Sequence, residues 1–290
     1  MTPVRHLTLD DPDYPPSLRG LAAPPLEVSI QGAMVPSRTV AIVGTRRPIP
    51  AAASFARELA RQVARRGSVV VSGGAVGIDA AAHEGALDAG GRTWVVSGTG
   101  HGVLYPKQHG PLFERIVEGG GAMVWPFPQG TRGHPARFLQ RNGVLVALAE
   151  VLVIVQAGFP SGALNAACWA RRLGRPRWVV CPPPWGTDGH GFEGCLAERR
   201  MGARALTSID FFFEATGTPP VAGSLAPARQ RKPAETRVLA ALSACPRHVD
   251  EVIAASGLPS PQVTSALLTL VLENVLVEGP EGFFRQASPP

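Results

Sequence analysis

From Thr39 onward, short runs of β-branched and aliphatic residues alternate with longer segments whose apolar positions recur every three or four residues. The short runs, at 40–43, 69–72, 93–97, 122–125, 151–155 and 177–181, are almost wholly apolar, as strands covered on both faces must be. The segments between them, at 51–66, 77–89, 110–119, 141–149 and 161–173, have helical period and length. Alternation of this kind predicts βαβ units. The expected fold class is therefore α/β: a Rossmann-like, mostly parallel sheet with helices on both faces, occupying residues 36–217.

The flanks read differently. Residues 1–35 are Pro-rich and end in Val28-Ser29-Ile30, which predicts an extended N-terminal arm packed on the main domain. Residues 218–232 are rich in Pro, Gly, Ala and Ser with no apolar period, the pattern of a flexible linker. From 233 to 290, three helical patterns (235–243, 249–255, 260–273) precede a short apolar run at 275–278, a Gly-Pro-Glu-Gly turn and Phe283-Phe284, which predicts a small winged-helix domain.

Charge sharpens this division. The net charge is +6, but residues 1–35 and 233–290 are each acidic, while 36–217 carries a net +8. A positive field confined to one domain is what a polyanion-binding surface requires. In the segment 51–66, Arg57, Arg61 and Arg65 share a face at four-residue spacing and read as a solvated stripe. The apolar runs are far short of the roughly 20 residues needed to cross a bilayer, so no membrane association is expected. The N-terminus lacks a secretory apolar core, so a cytoplasmic location is expected. Cys168, Cys181, Cys195 and Cys245 have neither zinc-ligand nor disulfide-framework spacing and are expected to be reduced.

Candidate chemistry gathers where strands end. The first junction, Val43-Gly44-Thr45-Arg46-Arg47, offers a close-approach glycine, a hydroxyl and two guanidinium groups at a helix start, a phosphate-binding combination. The second, Ser72-Gly73-Gly74-Ala75-Val76-Gly77-Ile78-Asp79, has backbone amides able to cradle an oxyanion, with Asp79 placed to favour the helix dipole. Lys107 is the only lysine of the basic domain; Arg137, Arg141 and Asn142 open one later helix, and Ser161 and Gly162 open another. Several such loops on one sheet edge mark the usual ligand crevice of an open α/β sheet. No Walker-type P-loop or dinucleotide fingerprint is present, no carboxylates are paired for metal-assisted hydrolysis, and the histidines lack ligand spacing. No catalytic residue, metal or cofactor is expected.

Taken in order, V-A-I-V-G-T-R, S-G-G-A-V-G-I-D-A-A-A-H, G-G-R-T-W-V-V-S-G-T-G, Tyr105-Pro106, Arg141-Asn142 and Ser161-Gly162-Ala163-Leu164 resemble the DNA-processing protein A (DprA, Smf) family over residues 10–285. The resemblance implies a non-enzymatic homodimer that binds single-stranded DNA and helps load a RecA-type recombinase on incoming DNA in natural transformation. It also implies that Arg46, Gly73, Gly77, Lys107, Arg141 and Asn142 line a phosphate pocket. The chain departs from the family pattern at Gly143, where an arginine is usual, at His109 in place of asparagine, at Gly191-Phe192-Glu193, and at Cys181-Pro182-Pro183. The alternative reading is a nucleotide-ligand-binding Rossmann protein, non-catalytic or similar to the LOG-type phosphoribohydrolases. The catalytic glutamate of those enzymes is absent from Gln156–Leu164.

Overall fold

The computed structural model describes residues 2–181, 183, 191–217, 233–242, 247–272, 276–278 and 283–286. The chain forms two compact units, Met1–Ala222 and Gly223–Pro290. The expected linker at 218–232 and Cys245 lie outside the described residues; Cys168, Cys181 and Cys195 carry free thiols.

In chain order the first unit comprises β1 (Val4–Thr8), α1 (Pro16–Arg19), β2 (Glu27–Gly32), β3 (Thr39–Val43), α2 (Pro50–Arg65), β4 (Val69–Ser72), α3 (Ile78–Asp88), β5 (Thr93–Val96), α4 (Gly110–Glu118), β6 (Ala122–Trp125), α5 (Pro135–Ala147), β7 (Val151–Ile154), α6 (Gly162–Arg172), β8 (Arg177–Val179), α7 (Glu193–Arg200), β9 (Arg204–Ala205) and α8 (Ile209–Ala215). One sheet runs β1-β2-β6-β5-β4-β3-β7-β8-β9, parallel from β6 to β9 and antiparallel at β1 and β2. Packing contacts join α2, α3 and α4 in one helix layer and α1, α5, α6 and α7 in another. The expected mostly parallel sheet between helix layers is thus present. Its central strands are buried along their whole length because both faces are covered.

The main difference is at the N-terminus. Residues 1–35 do not form an extended arm; they add two strands and a short helix to the sheet. The apolar positions Leu7, Tyr14, Leu18, Val28 and Ile30 belong to the main core. Tyr14 Oη donates to the Pro25 carbonyl at 2.7 Å, closing the loop between α1 and β2. A second difference is that α5 begins at Pro135, six residues earlier than its apolar period suggests. Pro135 suits a first helical turn, and the His134 ring accepts from the Ala136 amide at 3.3 Å. Helices α7 and α8 were also not indicated by periodicity; both are short, and α8 starts at a Ser208 cap.

The second unit contains α9 (Pro233–Ala241), β10 (Arg247–His248), α10 (Val249–Ser256), α11 (Ser260–Leu272), β11 (Leu276–Glu278) and β12 (Phe283–Gln286), with sheet order β10-β12-β11. Three helices and a small sheet give the winged-helix arrangement, over its own core of Val238, Val252, Val263, Leu267, Leu270, Leu276 and Phe284.

Candidate functional site

The sheet order reverses between β3 and β7: the chain leaves β3 toward β4, β5 and β6, then returns through β7 to the other side. A crevice must open there, because the loops after these two strands diverge to opposite layers. A cleft of about 810 Å³ occupies this position. The loop after β3 supplies Gly44, Thr45, Arg46 and Arg47; the loop after β7 supplies Gly158, Ser161 and Gly162; and α5 supplies Phe138, Arg141 and Asn142.

Local sequence explains the geometry. The Thr45 amide donates to the Gln156 carbonyl at 2.8 Å, and the buried Gln156 side chain accepts from the Ile49 amide at 3.0 Å, which ties the two crevice loops together. Ser161 caps α6, its Oγ accepting from the Ala163 amide, so the positive end of that helix opens on the cleft. Arg46 and Arg47 are exposed and make no ion pair among the described residues. The Arg46 guanidinium lies 5.5 Å over the Phe138 ring, which itself sits 5.0 Å from Tyr105. The stripe on α2 is different: Arg57 pairs with Glu84 at 3.0 Å and Asp88 at 2.7 Å, and Arg61 pairs with Glu58. Those arginines are neutralised by their own surface.

The glycine-rich loop after β4 is occupied by the protein itself. Asp79 is buried and accepts from the Ala75 amide at 3.3 Å. Burial raises its pKa above the ordinary carboxylate value, opposed first by the Arg141 charge and then by hydrogen bonding to the loop. Arg141 is also buried. Its Nη1 donates to the Gly73 carbonyl at 2.6 Å and to that of Val96, and burial lowers its pKa to about 10 despite Asp79. A Cβ on Gly73 would lie 2.4 Å from that guanidinium. Gly77 has φ +86°, and a Cβ there would approach the Thr45 carbonyl to 2.5 Å. These two glycines let one loop close over Arg141 and against the first junction.

Of the residues singled out from sequence, the structure brings Gly44, Thr45, Arg46, Arg47, Arg141, Asn142, Ser161 and Gly162 to one cleft. Ser72, Gly73, Gly74 and Gly77 stand behind it: Ser72 Oγ donates to the Ile42 carbonyl at 2.6 Å, and Gly74 abuts Val95 and Phe113. Lys107 is exposed on a 3-10 turn outside the lining, and Arg137 is turned to the Arg132 carbonyl at 2.9 Å. Sequence reading missed Phe138, Tyr105 and Asp79 as lining. Only the aromatic-Pro pair at Tyr105 and the Phe-x-x-Arg-Asn string carried a signal. Among the described residues no His, Cys, Asp or Glu cluster is placed to hold a metal ion, and no helix is long and apolar enough to cross a membrane.

Comparison with known proteins matches residues 5–217 to the DNA recombination-mediator protein A family and 222–282 to the DprA winged helix domain. A Mycobacterium tuberculosis protein described as a DNA processing protein DprA is 38% identical over 245 residues, 81% of this chain and 61% of the relative's own length. Protein Smf of Escherichia coli is 29% identical over 294 residues, covering 98% of this chain and 78% of that one. Two solved structures are similar at 28% identity over 73% of this chain. DNA processing protein A of Helicobacter pylori, described for its single-stranded DNA binding mode, has a TM-score of 0.65 and is covered over 95% of its length. DprA of Streptococcus pneumoniae has a TM-score of 0.66 and 74% coverage.

Proposed function

This chain belongs to the DNA recombination-mediator protein A family, and from that premise we propose that its crevice binds the backbone of single-stranded DNA without converting it chemically. The observation that carries this reading is the pair Arg46 and Arg47, exposed and without carboxylate partners among the described residues, lining one cleft with the N-terminus of α6 at the strand-order reversal. Unpaired guanidinium groups beside a helix N-terminus form a phosphate site. The single carboxylate among the described lining residues, Asp79, is bonded to the Ala75 amide and lies in the field of Arg141, which favours binding over catalysis. Tyr105 and Phe138 add aromatic surface on which bases can stack, a contact indifferent to sequence. In this reading the protein acts as a cytoplasmic homodimer that holds incoming single strands and helps load a RecA-type recombinase on them.

The test is a titration of the full chain with labelled oligothymidylate over a range of salt. Affinity falls linearly in log–log form, with a slope of about −0.7 per phosphate neutralised. Replacing both Arg46 and Arg47 with Ala lowers affinity by more than about tenfold, the loss of one or two charge-assisted hydrogen bonds. Replacing Arg57 and Arg61 changes it by less than about twofold, as their charges are already compensated. Salt-independent binding, preference for duplex, or equal losses in the two double variants would overturn the proposal. A nucleotide ligand is the second reading, favoured by a cleft volume of about 810 Å³, within the range of small-molecule sites. It gains if a nucleoside monophosphate binds and oligothymidylate does not.

A further inference from the structure

Phe159 stands in the loop between β7 and α6 and is 73% exposed, well beyond Tyr105 at 44%. Its ring packs on no other ring among the described residues. Scattered exposed apolar side chains are ordinary on a protein surface. Position sets this one apart. Gly158 before it and Pro160, Ser161 and Gly162 after it all line the cleft, so the ring stands at the cleft's rim.

The loop that presents the ring is anchored at both ends. The Ala157 carbonyl accepts from the Gly194 amide at 2.8 Å, and Ser161 Oγ accepts from the Ala163 amide at 3.2 Å. A Cβ on Gly194 would lie 2.6 Å from the Gly158 carbonyl oxygen, so the first turn of α7 backs the loop closely. A side chain held out on an anchored loop binds at a small ordering cost.

Sheet order then relates this ring to the cations. In the run β5-β4-β3-β7, the loop with Tyr105 follows β5, the loop with Arg46 and Arg47 follows β3, and the loop with Phe159 follows β7. The two exposed rings therefore belong to loops on opposite sides of the two guanidinium groups. Neighbouring strands are about 4.8 Å apart, so β5 and β7 are separated by roughly 14 Å, more than one nucleotide spans and within reach of a short run of them. An aromatic anchor for a protein partner sits in a well-packed apolar patch. Phe159 is flanked instead by glycine, proline and serine, with Arg46 and Arg47 on the adjoining loop, which are surroundings that suit stacking on a polyanion's bases.

We propose that Phe159 stacks on a base of the bound single strand, which crosses the crevice from the Tyr105 rim, over Arg46 and Arg47, to the Phe159 rim. This rests on the reading of the crevice as a single-stranded DNA site and adds to it a contact and a path.

The test is a titration of the full chain with labelled oligothymidylate at constant salt, followed by fluorescence anisotropy. Phe159→Ala weakens binding about tenfold, the loss of one stacked base. Phe159→Trp keeps an aromatic face and stays within about twofold of the wild type, whereas Phe159→Leu keeps apolar bulk without that face and loses about as much as Phe159→Ala. The salt slope of Phe159→Ala equals that of the wild type, because no phosphate contact is lost. An oligomer of the same length built from abasic units binds the wild type and Phe159→Ala equally. Oligothymidylate also quenches the fluorescence that Phe159→Trp adds to the wild type; should Phe159→Ala not fold, this quenching and the Trp and Leu variants decide. Undiminished affinity in Phe159→Ala or Phe159→Leu, a loss that persists on the abasic oligomer, a reduced salt slope, or a changed oligomeric state at unchanged DNA affinity would each overturn the proposal. If the wild type itself shows no salt-dependent binding, the DNA reading falls and the stacking contact with it; if the wild type binds and Phe159→Ala binds equally well, the stacking contact alone falls.

Discussion

The Thr93 hydroxyl donates to the Val70 carbonyl at 2.8 Å, so it has only lone pairs to offer His83, whose Nδ1 lies 2.7 Å away. The His83 proton therefore sits on Nδ1, and the buried Nε2 is an acceptor without a partner. Burial first, then His109 and Arg141, push its pKa from 6.5 down to about 3. The folded state thus keeps His83 neutral where the unfolded state takes up a proton. Its contribution to stability is complete above pH 6.5 and declines as pH falls toward 3. Between pH 7 and pH 5 this amounts to about 2 kcal/mol. In urea unfolding, the wild type should lose that much relative to His83→Gln over the same interval; parallel pH profiles would refute the assignment. Asp79 has the opposite sign: burial raises its pKa, so its ionisation costs stability as pH rises from the acid side, and the Arg141 charge offsets part of this.

Among the elements, α1 and its flanking strands carry the clearest test. A Pro-rich lead with scattered apolar residues reads as an arm because four helical residues, Pro16–Arg19, are too few to establish a period. In the fold, Leu18 is fully buried and Tyr14 lies beneath the loop that its own hydroxyl closes. Leu18→Ala should destabilise the first unit by about 2–4 kcal/mol, the range for a buried leucine whose site cannot fully collapse. A detachable arm would give a loss below about 0.5 kcal/mol, as at a surface site. Denaturation midpoints of the two proteins distinguish these outcomes. The stripe on α2 makes the complementary point: its spacing was legible, and its pairing with Glu84 and Asp88 depended on α3 packing alongside.

At the scale of the molecule, each unit has its own apolar core. In the second, α11 buries Val263, Ala266, Leu267 and Leu270 and has no Lys or Arg anywhere along its length. A helix that reads a groove needs donors for phosphates and base edges. The winged helix is therefore expected to contact protein, and the fragment 1–217 should bind oligothymidylate within a few-fold of the full chain at equal salt. A large loss from a fragment that remains folded and in the same oligomeric state would assign DNA contacts to the second unit.

The sequence by itself determined the strand–helix alternation, the division into basic and acidic segments, and the junction at Gly44–Arg47. Each rests on local chemistry: β-branched runs, charge counts, and glycine beside arginine at a strand end. Only the tertiary structure decided which donors remain for a ligand. Arg141 and Arg46 look alike in one dimension, yet the first is buried capping the carbonyls of Gly73 and Val96 while the second stays exposed, with no ion pair among the described residues. Likewise Asp79 fills the glycine loop whose amides the sequence offered to an oxyanion, and Lys107 stands outside the cleft lining. The physical reason is that a polar group's availability depends on what the fold has already hydrogen-bonded to it, and those partners come from strands and helices dozens of residues away.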